Sequence, residues 1–113
     1  MTIQVPLSSL TQSPVPPYYV VIFTSQRTAE NNGYAHMAGR LLELAAQHPG
    51  FMGLECARRP DGFGITLYYW KTAEAVTAWR ASLKEYLNQG NRQNAWYEHY
   101  ELRVAKVEQL YSL

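Results

Sequence analysis

A single cysteine, Cys56, is all the thiol chemistry the chain carries. An intrachain disulfide is excluded, and so is a Cys-built zinc or iron–sulfur cage within one chain. Long hydrophobic runs are missing as well. Nothing approaches the ~18 consecutive apolar residues of a membrane span, and residues 1–17 lack the charged start and apolar centre of a secretion signal. Nor is there an excess of charge of one sign: ten Lys and Arg against nine Asp and Glu leave a net charge of +1, which argues against nucleic acid as a partner. There is no Gly-rich phosphate loop, because Gly62 and Gly64 fall in a hairpin rather than a strand-to-helix turn. A nucleophile elbow, paired carboxylates at ligand spacing and the aromatic-basic strands of an RNA-binding module are also wanting. The expectation is a soluble cytoplasmic protein with no membrane or nucleic-acid partner and no metal.

What remains is 113 residues, one domain's worth of chain. With 47% hydrophobic and 17% charged residues, overall disorder is excluded. Aromatics reach 13%, with nine Tyr and three Trp. A small core hides only part of that, which points to a lined pocket or an interface.

Four of the six prolines, Pro6, Pro14, Pro16 and Pro17, crowd residues 1–17. That stretch reads as an extended, irregular N-terminal arm, and residues 18–113 as the domain. Residues 18–24 are β-branched and aromatic throughout, a buried strand. Asn31-Asn32-Gly33 signals a turn. From Tyr34 the period becomes helical: Tyr34, Met37, Ala38, Leu41, Leu44, Ala45 and His48 share one face, and Pro49-Gly50 ends it. Residues 51–58 and 63–70 read as strands joined by a Pro60-Asp61-Gly62 reversal. Thr72 is placed to start a second helix, whose apolar face carries Ala75, Val76, Trp79, Leu83, Tyr86 and Leu87. Asn88 to Asn91 reads as its end, followed by a short helical turn. Residues 97–107 read as a last strand, with Glu101, Arg103 and Ala105 on one side and Tyr100, Leu102 and Val104 on the other.

The order strand, helix, strand, strand, helix, strand predicts an α+β, ferredoxin-like βαββαβ fold: a four-stranded antiparallel sheet with both helices on one face. The uncovered face is also apolar. Val20 and Ile22 alternate with Tyr19, Val21 and Phe23, and Ile65, Leu67 and Tyr69 alternate with Tyr68 and Trp70. Both faces need burial, so a homodimer with its sheets face to face is expected.

Pro49-Gly50-Phe51-Met52-Gly53-Leu54-Glu55, Tyr69-Trp70-Lys71-Thr72 and Ala78-Trp79-Arg80 together resemble the antibiotic biosynthesis monooxygenase family. The likeness extends over residues 18–107. It implies a dimeric α/β barrel, a fold that hosts quinone-forming monooxygenases, heme-degrading oxygenases and proteins without assigned chemistry. The heme-degrading branch uses an asparagine in its first strand, a tryptophan in its second helix and an iron-ligating histidine about ten residues later. Trp79 matches the tryptophan, but residues 18–24 hold no asparagine and position 89 is Gln89. His36, His48 and His99 are not substitutes for the iron ligand, so heme chemistry is disfavoured.

The quinone-forming branch needs no metal or flavin. Its protein supplies an apolar, dry cavity and a group that stabilises a phenolate. The resemblance therefore implies a substrate pocket between sheet and helices for a small aromatic or quinol-like molecule. Trp79 and Tyr86, Tyr34, Met37 and Leu41, and Phe23 with Tyr69 or Trp70 are its candidate walls, and Arg80 or His99 its candidate charge. No catalytic residue is assigned. A non-catalytic dimer that binds a small apolar molecule or serves a stress-linked role is the alternative. Each residue also has a plainer reading. Trp79 fits a packed core, the tyrosines fit sheet and interface, His36 and His48 fit the surface, Arg58 and Arg59 a solvated turn, and Cys56 an inert buried strand position.

Overall fold

The computed structural model describes residues 2–5, 15–28, 34–94 and 96–112. Its elements are β1 (Thr2–Val5), β2 (Tyr18–Arg27), α1 (Tyr34–Ala46), β3 (Phe51–Arg58), β4 (Phe63–Trp70), α2 (Ala73–Asn94) and β5 (Tyr97–Val107). All strand pairs are antiparallel, in the order β1-β3-β4-β2-β5. Strands β2 to β5 with the two helices make the ferredoxin-like βαββαβ unit.

Three differences from the expected fold have simple causes. The sheet has five strands rather than four, because Thr2–Val5 of the arm pairs with β3, Ile3 opposite Cys56 and Val5 opposite Leu54. Four residues are too few to display a period. The rest of the arm up to Pro14 lies outside the described residues. Strand β2 continues past Thr24 to Arg27, held by the ladder to β4 and β5. Helix α2 runs unbroken through Asn88 to Asn91 and absorbs the expected separate turn. A lone interior glycine costs a helix only about 1 kcal/mol relative to alanine, and no proline is there to stop it.

Local signals explain the remaining boundaries. The Thr72 hydroxyl accepts the Ala75 N–H at 3.1 Å, an N-cap for α2. In the β3–β4 turn, the Asp61 carboxylate accepts the Phe63 N–H at 3.1 Å, and Gly62 takes a φ of 97°, which side chains resist. That hydrogen bond, joined by Arg59, holds the Asp61 carboxyl below its usual range.

Arg58 does not point to solvent as a turn residue would. Its Nη2 donates to Ser25 Oγ at 2.6 Å and its Nη1 to the carbonyls of Ser25 and Gly62. The guanidinium also lies 5.8 Å from the centre of the Tyr97 ring. Ser25 is only 1% exposed, so Arg58 satisfies a buried hydroxyl and fastens β2 to the β3–β4 hairpin. The guanidinium occupies the space over Gly64, where a Cβ would approach Arg58 Cζ to 2.6 Å.

The core lies between the sheet and the helices. Val21 and Phe23 of β2, Leu54 of β3, and Tyr68 and Trp70 of β4 meet Met37, Leu41 and Ala45 of α1 and Val76, Trp79, Leu83 and Leu87 of α2. On β5, Tyr100 and Leu102 pack against this core while Glu101 and Arg103 are exposed, as their alternation requires.

Candidate functional site

The ring cluster beneath α2 follows directly from two periods. Tyr68 and Trp70 are two apart on β4, so both face the helices. Trp79 lies on the α2 stripe it shares with Val76, Leu83 and Leu87. The Trp79 ring meets Tyr68 at 4.6 Å and Trp70 at 4.9 Å between centres, and Trp70 continues to Phe51 at 5.2 Å and His48 at 6.5 Å. His48 is thus half-buried against Trp70 rather than an ordinary surface residue.

Trp70 and Trp79 are both fully buried, and neither indole Nε1–H has a hydrogen-bond acceptor among the described residues. An orphaned buried donor costs about 1–3 kcal/mol. Two of them in one buried cluster favour any acceptor oxygen that reaches them.

A second aromatic group joins β2 to β5. Phe23 contacts Tyr97 and Tyr100, each at 5.6 Å, and the Tyr97 hydroxyl approaches Met37 Sδ at 3.9 Å. Beside this group, a groove of about 210 Å³ opens between α2 and β5. Leu83, Leu87, Tyr100 and Leu102 form its walls, with Arg80, Lys84 and Asn88 at its rim. The Tyr100 hydroxyl faces Asn88 Oδ1 at 3.4 Å.

Of the candidate pocket residues, Trp79, Trp70, Met37, Leu41 and Phe23 come together, as tightly enclosed core. Tyr86 is half-buried, 5.7 Å from Trp96. The side chain of Tyr34 lies outside the described residues. Arg80 reaches the groove rather than the ring cluster.

Tyr69 and His99 belong to the opposite face, which no described helix covers, so they cannot line a cavity beneath the helices. Tyr69 is separated from that cavity by strict alternation with Tyr68 and Trp70. Its hydroxyl donates to Glu55 Oε1 at 2.9 Å, and burial, with help from the Glu55 carboxylate, pushes the phenol well above its usual range. His99 sits opposite Gln26, exposed, 3.6 Å from Glu101, which in turn binds Arg103 at 2.8 Å.

The groove residues Leu83, Lys84, Leu87, Asn88, Tyr100 and Leu102 are not among the candidates. Their signal was present: Arg80/Lys84 and Leu83/Leu87 are i, i+4 pairs, and Tyr100 and Leu102 share a face of β5. Reading a helix end at Asn88 concealed it. Among the described residues, no three His, Cys, Asp or Glu side chains gather as metal ligands, and no helix is long and apolar enough to cross a membrane. Cys56 is half-buried and its thiol is pushed up by burial, with Arg58 opposing.

No family model matches the chain. In sequence it is 42% identical over 99 residues to YqjZ, an uncharacterised protein of Bacillus subtilis, covering 88% of this chain and 87% of that one. In structure it is similar to SnoaB, a cofactor-independent oxygenase from Streptomyces nogalater. The TM-score is 0.67 at 14% identity, over 84% of this chain and 97% of SnoaB. A protein from Deinococcus radiodurans assigned to the antibiotic biosynthesis monooxygenases gives 0.65 at 13% identity, over 84% and 97%. A similarly assigned protein from Nitrosomonas europaea gives 0.63 at 14%, over 88% and 97%. The chain belongs to the family of Bacillus subtilis YqjZ and has the fold of the antibiotic biosynthesis monooxygenases.

Proposed function

We propose that this protein is a homodimeric oxygenase of the antibiotic biosynthesis monooxygenase type that oxidises an aromatic or quinol-like small molecule without metal or flavin. The observation that carries the reading is the pair of buried indole donors, Trp70 and Trp79, within one ring cluster. It gains weight from a fold shared with a protein described as a cofactor-independent oxygenase.

The chemistry asks little of the protein. A phenol-activated methylene loses a proton, and the resulting carbanion reduces dioxygen. One oxygen atom becomes the new carbonyl and the other leaves as water, so the methylene, its two hydrogens and the oxygen molecule balance. The protein's part is to exclude water and stabilise the phenolate oxygen. The Trp70 and Trp79 N–H groups are suited to that second task once the substrate oxygen enters among the rings. Dimerisation is supported by the sheet face away from the helices, where Ile22, Leu67 and Ile65 remain partly exposed.

Oxygen uptake with a panel of anthrones and hydroquinones, compared with the uncatalysed rate, tests the reading. Catalysed uptake is expected, and Trp79→Phe should lower it about tenfold or more while costing less than about 1.5 kcal/mol of stability as a nearly volume-conserving change. The alternative is a non-catalytic dimer that binds a small apolar molecule elsewhere, with Trp79, fully enclosed, serving as packed core. Uptake at the background rate for every member of the panel would establish that alternative over the oxygenase.

A further inference from the structure

We propose that the groove between α2 and β5 is a separate binding site for a small aromatic carboxylate, a single ring bearing the acid at one end and a hydroxyl at the other. The charge at its rim argues for an anion. Arg80 and Lys84 stand one turn apart on α2, both exposed, and neither makes an ion pair with any described residue. The other exposed arginines among the described residues are neutralised: Arg40 by Glu43 at 3.0 Å, Arg59 by Asp61 at 3.0 Å and Arg103 by Glu101 at 2.8 Å. No carboxylate lines the groove. Two like charges at i, i+4 repel each other, and an anion seated between them relieves that repulsion while the Arg80 guanidinium offers a fork matched to a carboxylate.

The walls argue for a ring. Leu83, Leu87 and Leu102 present carbon, and Tyr100 adds an aromatic edge. The volume sets the size. An apolar cavity of about 150 Å³ accepts benzene, so a groove of about 210 Å³ accepts one substituted ring. A fused polycycle of the anthrone kind exceeds it, which separates this site from the one proposed for the oxygenase substrate. The far end is polar again. Asn88, one turn beyond Lys84, and the Tyr100 hydroxyl stand together there at 3.4 Å, a long contact that a ligand hydroxyl can replace on both sides.

The test is calorimetry under argon, so that binding is read without turnover and failure of the oxygenase reading leaves it intact. The probe is 4-hydroxybenzoate, with 4-hydroxybenzamide as its neutral counterpart. Saturable binding at one site per chain is expected, weakening as salt is raised, with the amide about tenfold weaker. The double variant Arg80→Gln/Lys84→Gln should lose about tenfold in affinity for the acid. Both residues are exposed, so its circular dichroism and melting temperature should match the wild type. Equal affinity for acid and amide, wild-type affinity in the double variant, or no saturation at millimolar ligand would each overturn the proposal.

Discussion

The two faces of the sheet are built from the same kinds of residue and meet opposite fates. On the helix side, Val21, Phe23, Leu54, Tyr68 and Trp70 are buried beneath α1 and α2. On the other side, Ile22 and Leu67 stand opposite each other half-exposed, and Ile65 is 41% exposed. Composition alone does not distinguish them, because a strand with apolar groups on both sides signals only that both sides are to be covered. Their edges differ, however. The helix side is rimmed by rings and, along α2, by cations. The uncovered side is rimmed by Glu55 with Tyr69 at one flank and by His99, Glu101 and Arg103 at the other. A strip of carbon with a polar border has the anatomy of an association surface.

A charge placed on each face breaks the symmetry most sharply. Val21→Asp buries an unpaired carboxylate in a fully enclosed site and should cost about 4 kcal/mol or more, enough to unfold most of the protein in mild urea. Its neighbour Ile22→Asp projects from the other face and sits opposite Arg103, so the folded chain should lose less than about 1 kcal/mol while the proposed dimer gives way to monomer in light scattering. Loss of folding in both variants would mean that the uncovered face is core already.

Next in size is Arg58→Ala. It leaves the buried Ser25 hydroxyl without its charged donor and should cost about 2–3 kcal/mol in chemical denaturation, far more than an exposed turn arginine would.

The smallest effect sits on the uncovered face. The raised phenol of Tyr69 keeps its proton in the folded protein above pH ~10, where an unfolded tyrosine ionises. The unfolded state then binds fewer protons, so Tyr69 adds a stability that is present below that pH and lost as pH rises further. Tyr69→Phe should cost about 1 kcal/mol or less at neutral pH. The gap between the denaturation midpoints of the two proteins should stay constant up to pH ~10 and close only as pH rises above it.

Most of the architecture was legible because its signals are local and repeated. Alternation placed β4 and β5, the Asp61-Gly62 turn placed the hairpin, and the Thr72 cap opened α2. What escaped notice depends on contacts between distant parts of the chain. Thr2–Val5 becomes a strand only because β3 offers it an edge. Arg58 turns inward, half-buried, because Ser25, 33 residues away, needs a donor. The candidate site divided along the same line. Its ring cluster was visible in the helical stripe of α2, whereas Tyr69 and His99 were placed with it on chemical type although the pleat sends them to the other side.

The guanidinium that crosses over Gly64 also constrains how this sequence can change. Alanine at 64 collides with Arg58 for as long as Arg58 keeps its grip on Ser25 and Gly62. Once Arg58 is lost, the space above Gly64 empties and a methyl group there costs little. The two positions therefore cannot drift independently. A lineage that exchanges the glycine must let the guanidinium swing off Ser25 and Gly62, and one that has filled position 64 cannot restore that grip without retracing the step.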